Sequence, residues 1–127
     1  MKKMFLLFSH NLTQTQIDDA KNNFDVEEFI YLNQDLQKLW SNIPSELISL
    51  KEYLLPIRNF LAENSEYEDV VLIQGDFGAV YQMVNFANNL GLKAVYATTT
   101  RVIEETVEDE KTVKKSIFEH RRFREYE

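Results

Sequence analysis

The sequence predicts an α/β fold: a mostly parallel sheet flanked by helices, with a C-terminal antiparallel hairpin. Three observations predict it. Met4–Phe8 and Val70–Ile73 are continuous apolar runs, as expected of strands covered on both faces. Stretches with apolar residues at helical spacing lie between such runs. After Thr98 the pattern changes to polar and apolar residues alternating around an acidic turn, which marks a half-exposed hairpin.

The elements follow in order. Lys3–Phe8 is the first strand. Thr13 with Gln16 three residues on has capping-box spacing, which predicts a helix over Gln14–Asn23. Phe29–Leu32 is a second short strand. Leu36, Leu39 and Trp40 share a helical face before Pro44 interrupts. Leu47, Leu50, Tyr53 and Leu54 continue a helical stripe into Ile57, Phe60 and Leu61, with Pro56 bending or breaking it. Val70–Gln74 is the third strand, and a helix over Phe77–Asn89 stops at Gly91. Leu92–Thr98 is the fourth strand. Thr99–Val107 and Thr112–His120 are the arms of the hairpin. Repeated strand–helix–strand units imply right-handed crossovers and the common strand order 2-1-3-4. Residues 1–127 form one domain, since this length suits one core and not two.

Composition narrows the classes. Apolar residues are 44% and charged residues 28%, the balance of a globular chain. The absence of cysteine excludes disulfides and thiolate metal sites and fits a reducing, cytoplasmic setting. The apolar run at Met4 is too short for a signal peptide, and none approaches the roughly 20 residues that span a bilayer. A net charge of −7 argues against a surface for long nucleic acid, though not against a small anion in a local basic pocket.

Reversal of strand order between the first and third strands would open a crevice at their carboxyl ends. Ser9, His10 and Asn11 would line one side, and Gln74, Gly75, Asp76, Phe77 and Gly78 the other. Thr98, Thr99, Thr100 and Arg101 come next along the same edge. Gly75 and Gly78 permit a tight turn and close approach of a ligand to backbone, or serve conformation alone. There is no third glycine of a dinucleotide fingerprint and no P-loop lysine. Asp76 is either a helix N-cap or an acceptor for a ribose hydroxyl or adenine amine. His10 follows a buried strand and is the better-placed histidine; His120, beside Arg121, Arg122 and Arg124, is the second. Two histidines without carboxylates at ligand spacing make no metal site. Arg101 is the cation expected nearest the crevice and a candidate phosphate partner. Phe8, Phe77 and Tyr81 are expected in the core, with base stacking as the alternative.

Five segments taken in order carry a resemblance. They are Phe8–Thr13 (FSHNLT), Leu36–Pro44 (LQKLWSNIP), Ile73–Ala79 (IQGDFGA), Val95–Arg101 (VYATTTR) and Phe118–Arg124 (FEHRRFR). The chain resembles a small family of CRISPR-associated proteins encoded beside type III systems, the Csx family numbered twenty. The resemblance implies a Rossmann-like, CARF-related fold and a ring nuclease that degrades cyclic tetra-adenylate, ending the antiviral response without a cofactor. A two-fold symmetric ring further suggests a homodimer. On this reading Ser9, His10 and Arg101 carry the chemistry. Asn11, Gln74–Gly78, Thr98–Thr100, His120 and Arg122 hold the ligand. A non-catalytic sensor or sponge for the same ring, and a protein-interaction domain using the hairpin, are the competing expectations.

Overall fold

A computed structural model describes all residues, Met1–Glu127. Five strands and four helices run in the order β1 (Lys3–Leu7), α1 (Gln14–Phe24), β2 (Glu28–Tyr31), α2 (Gln34–Ser41), α3 (Leu55–Asn64), β3 (Val70–Ile73), α4 (Phe77–Asn89), β4 (Lys93–Glu108) and β5 (Lys111–Glu125). The sheet order is β2-β1-β3-β4-β5. The first four strands are parallel and β5 is antiparallel to β4. The expected α/β class, strand order and terminal hairpin are present; the borders of β1, β2 and β3 lie within about one residue of expectation, while β5 runs five residues past His120, to Glu125.

Both faces of the sheet are covered, unequally. On one side Phe5, Leu7, Val71 and Ile73 pack against Trp40 of α2, Ile57 and Leu61 of α3 and Met83 of α4. On the other, Met4, Leu6, Val70 and Leu72 meet Ala20 of α1 and Phe123 of β5. Each fully buried side chain of this size removes enough apolar surface to contribute about 1.5–3 kcal/mol, so these two layers dominate the stability. The capping box forms as expected: Gln16 N donates to Thr13 Oγ1 and Thr13 N to Gln16 Oε1.

Three expectations are corrected. The stripe from Leu47 to Leu61 is not one helix, because α3 begins only at Leu55 with Pro56 in its first turn, where a missing N–H costs nothing. The preceding turns are fixed instead by Tyr53, whose hydroxyl donates to Leu39 O at 2.6 Å. Phe77 and Tyr81 are not core residues. Their exposures are 95% and 70%, because α4 turns Ala79, Met83 and Ala87 toward the sheet. Finally, the fourth strand and the hairpin are not separate elements. The run of Thr98 to Thr106 contains no glycine or proline and is rich in β-branched residues, so β4 continues unbroken through it.

The consequence is an arm. Pairing of β4 with β3 ends at Val95, while pairing with β5 continues to Glu108. The ribbon stays on the body as far as Thr99 and His120, which pack beside α1, and beyond them it extends about 30 Å at roughly 3.3 Å per residue. A two-residue turn closes it, with Asp109 at φ 49° and Glu110 at φ 63°, as a tight hairpin with right-handed twist requires.

Candidate functional site

Leu7 and Ile73 lie side by side at the carboxyl ends of β1 and β3, and Gln74 N donates to Leu7 O at 3.0 Å. The chain then leaves β1 for α1 on one face and β3 for α4 on the other. In an open sheet that divergence is where a crevice is expected, and the turns Ser9–Asn11 and Gln74–Asp76 are both tied there to the end of α2.

The last turn of α2 holds both turns. Trp40 Nε1 donates to Gln74 O at 3.0 Å, and the next residue, Ser41, has its hydroxyl 2.9 Å from that of Ser9. Gln37, one turn earlier, donates from Nε2 to Phe8 O at 3.1 Å and to Ser41 Oγ at 3.0 Å. Sequence reasoning gave these α2 residues no part in the site. Their spacing, Gln37 and Ser41 four apart with Trp40 between, was the available signal.

Within the crevice Ser9, His10, Asn11, Gly75, Asp76, Phe77 and Gly78 are exposed. His10 stacks edge-on against Phe8 with ring centroids 5.3 Å apart, and no side chain orients its nitrogens. Asp76 is the N-cap of α4, its Oδ2 accepting from Ala79 N at 3.0 Å. Gln74 serves structure: Oε1 accepts from Ala97 N at 2.7 Å and so closes the end of the β3–β4 ladder. At Gly75 a Cβ would stand 3.1 Å from Trp40 Nε1, which makes the glycine a packing requirement of the indole.

A second cluster gathers on the α1 side, where the arm leaves the body. His120 Nε2 lies 2.8 Å from Asp19 Oδ2, with side-chain exposures of 4% and 8%. Asp19 also accepts from Phe123 N at 2.7 Å and from Asn23 Nδ2 at 2.7 Å. Burial pushes the Asp19 carboxyl up, but hydrogen bonds from Asn23, His120 and the Phe123 N–H outweigh it and hold it below its ordinary value. With Nε2 engaged, His120 Nδ1 is buried and has no partner. The ring borders a polar cavity of about 560 Å³ between Thr13, the N-cap of α1, and Thr15 on one side and Thr99 and Arg121 of the arm on the other. Asp19 escaped sequence reasoning because its partner is 101 residues away.

The remaining candidates are placed as follows. Thr98 Oγ1 donates to Arg122 O at 3.0 Å and accepts from Arg122 N at 3.2 Å, which occupies it at a bulge of the hairpin. Thr100 Oγ1 accepts from Arg121 Nε at 2.7 Å. Arg101 does not lie at the crevice. It sits opposite Phe118, donates to Ser116 Oγ at 3.0 Å, and is about 17 Å along the strand from Tyr96. The structure thus unites Ser9–Asn11 with Gln74–Gly78, and Thr99 with His120, and leaves Arg101 on the arm.

Comparison with known proteins matches residues 2–124 to a family described as the uncharacterized protein MJ1673 family. The chain belongs to the MJ1673 family. It is 52% identical over 126 residues to the uncharacterized protein MJ1673 of Methanocaldococcus jannaschii, covering 99% of this chain and 98% of that relative. No solved structure matches. The MJ1673 match runs through both turns of the crevice, the Asp19–His120 pair and the whole arm. No helix of this family member is long and apolar enough to cross a membrane.

Proposed function

We propose that this chain binds cyclic tetra-adenylate and cleaves it as a metal-independent ring nuclease, switching off a type III CRISPR response in the cytoplasm. The observation that supports this most is the pair of polar turns after β1 and β3, held side by side by Trp40 and Ser41. The five-segment resemblance to the Csx family numbered twenty adds the ligand class.

The reaction needs little from the protein. A ribose 2′-hydroxyl attacks the phosphorus of its own 3′-phosphate, the bond to the 5′-oxygen breaks, and a proton passes from the 2′-oxygen to a base while the departing 5′-oxygen gains one. The products are linear, with cyclic 2′,3′-phosphate and 5′-hydroxyl ends. Alignment of the attacking and leaving oxygens and stabilisation of the charged phosphorane supply the rate. Ser9 and the backbone N–H groups about Gly75 and Gly78 hold the phosphate, and His10 transfers the proton. The Asp76 carboxylate repels phosphate and suits a ribose hydroxyl or an adenine amine instead. Within one protomer Arg101 does not reach this phosphate, so the cationic role expected of it is left unfilled there. A two-fold ring is best enclosed by a homodimer.

Incubation with cyclic tetra-adenylate in EDTA, followed by chromatography, should give linear products with cyclic phosphate ends, and His10→Ala should slow their formation at least tenfold. An intact ring after long incubation with excess protein overturns the catalytic reading. One observation favours the sensor or sponge as second reading: exposed His10 has no orienting carboxylate, while His120, which has one, is enclosed. Tight binding of the ring without turnover would select it.

A further inference from the structure

The two long edges of the arm differ. Along β4, Lys93 N donates to Asp69 O and Ala97 N to Gln74 Oε1, both on the β3 side, whereas Ala94 O accepts from Tyr126 N on the β5 side. Backbone direction alternates along a strand, and the extra residue of the bulge, Arg121, belongs to β5. The N–H and C=O groups of Thr99, Arg101, Ile103, Glu105 and Val107 therefore all face outward, beyond the reach of β3, with no partner in the chain.

Such an edge is a template for another strand unless it is blunted. The outer edge strand β5 is blunted by Lys111, Lys114, Lys115, Arg121, Arg122 and Arg124, which repel a second β5. The free edge of β4 has no proline, is β-branched at Thr99, Ile103 and Val107, and carries one cation with acidic residues following it. Its side chains suit a copy of itself. An antiparallel pairing about a two-fold axis at Ile103 sets Ile103 against Ile103 of the second copy. It sets Arg101 against Glu105 of the second copy, and Thr99 against Val107, each contact occurring twice. Residues directly opposite share a sheet face, so Arg101 and Glu105 meet as an ion pair.

We infer that the arm is a dimerisation element: two copies of this chain pair through the free β4 edge, centred on Ile103, into a four-stranded sheet in the order β5-β4-β4-β5. The five outward residues of each strand give about ten backbone hydrogen bonds between copies. An isolated two-stranded ribbon is marginal in water, and this pairing supplies the additional strands that it lacks. The same register brings the Asp109–Glu110 turn of the second copy end-on against Gln74, which fills the outward side of Ala97. Each crevice is thus bordered by the other copy's arm. The pairing stands independently of any nucleotide, so its test is separable from that of ring cleavage.

Sedimentation of the full chain should give twice the 15.0 kDa chain mass. Arg101→Glu should raise the dissociation constant at least tenfold, as should Glu105→Arg, and the double exchange should restore the dimer. Ile103→Pro removes an N–H that points outward, so it should abolish the dimer while the chain keeps its circular dichroism. Amide exchange provides a direct reading: the amides of Thr99, Arg101, Ile103, Glu105 and Val107 should be protected in addition to those of Thr100, Val102, Glu104 and Thr106. A monomer at hundreds of micromolar, exchange protection confined to the even-numbered amides, or a dimer indifferent to these exchanges overturns the inference.

Discussion

Two glycines three residues apart at the crevice have different reasons to be glycine. At Gly75 a Cβ would contact Trp40 Nε1 at 3.1 Å and two indole carbons at 3.2 Å. The indole cannot retreat, since it is buried and its N–H is bonded to Gln74 O. At Gly78 the nearest atoms are Asp76 Oδ2 at 3.5 Å and Leu50 Cδ1 at 3.7 Å, which is ordinary contact, and the position lies in the first turn of α4. Gly75→Ala should therefore destabilise the chain by about 1–2 kcal/mol through overpacking. Gly78→Ala should stabilise it by up to about 1 kcal/mol through helix propensity. Denaturant midpoints check both. On the proposed function, Gly78→Ala would impair ring binding while raising stability, which separates a ligand role from a packing role.

The arm depends on its turn as an element. Asp109 and Glu110 both have positive φ, which asparagine, aspartate and glycine tolerate and glutamate does not. Glu110→Gly should remove this strain and stabilise the arm by about 1 kcal/mol, seen as roughly fivefold slower amide exchange between Thr100 and Lys115. How far the elements were legible in the sequence follows from similar local rules. The capping box at Thr13 and Gln16, the buried runs of β1 and β3 and the stop at Gly91 are local signals, and each produced its element. The start of α3 is not legible because Leu50 and Leu54 satisfy helical spacing while packing from turns, with Tyr53 tied to Leu39. The alternation after Thr98 disclosed a hairpin, but the strand preceding it shows no boundary residue, so the continuity of β4 came only with the fold. The turns of the crevice were legible because strand-to-helix turns are sequential. Trp40, Ser41 and Asp19 were not, because their partners lie 34, 32 and 101 residues away.

At the scale of the whole molecule, one carboxylate ties the arm to the body. Asp19 on α1 receives His120 Nε2 and Phe123 N from β5, and the same contact seats Phe123 in the core layer beneath α1. Removing it leaves His120 Nε2 and the Phe123 N–H without a partner in a largely buried site, so Asp19→Ala should cost about 1–3 kcal/mol. The pH dependence has a definite sign. Burial disfavours the charged Asp19, but the hydrogen bonds prevail and its pKa in the fold is lowered. The stabilisation is therefore fully present above the unfolded-chain value near about pH 4, and is lost as pH falls from there through the lower folded value. Because the hydrogen bonds of Asp19 join α1 to the root of the arm and none goes to β1 or β3, its protonation should release the arm before the parallel core opens. A titration from pH 6 downward should show amides about Phe123 and Asn23 exchanging faster at a higher pH than those of Phe5 and Val71. Asp19→Asn should show fast exchange about Phe123 already at pH 6. Simultaneous loss of all four amides, with Asp19→Asn behaving as the parent chain, would show that the Asp19 tie is not what joins the arm to the body.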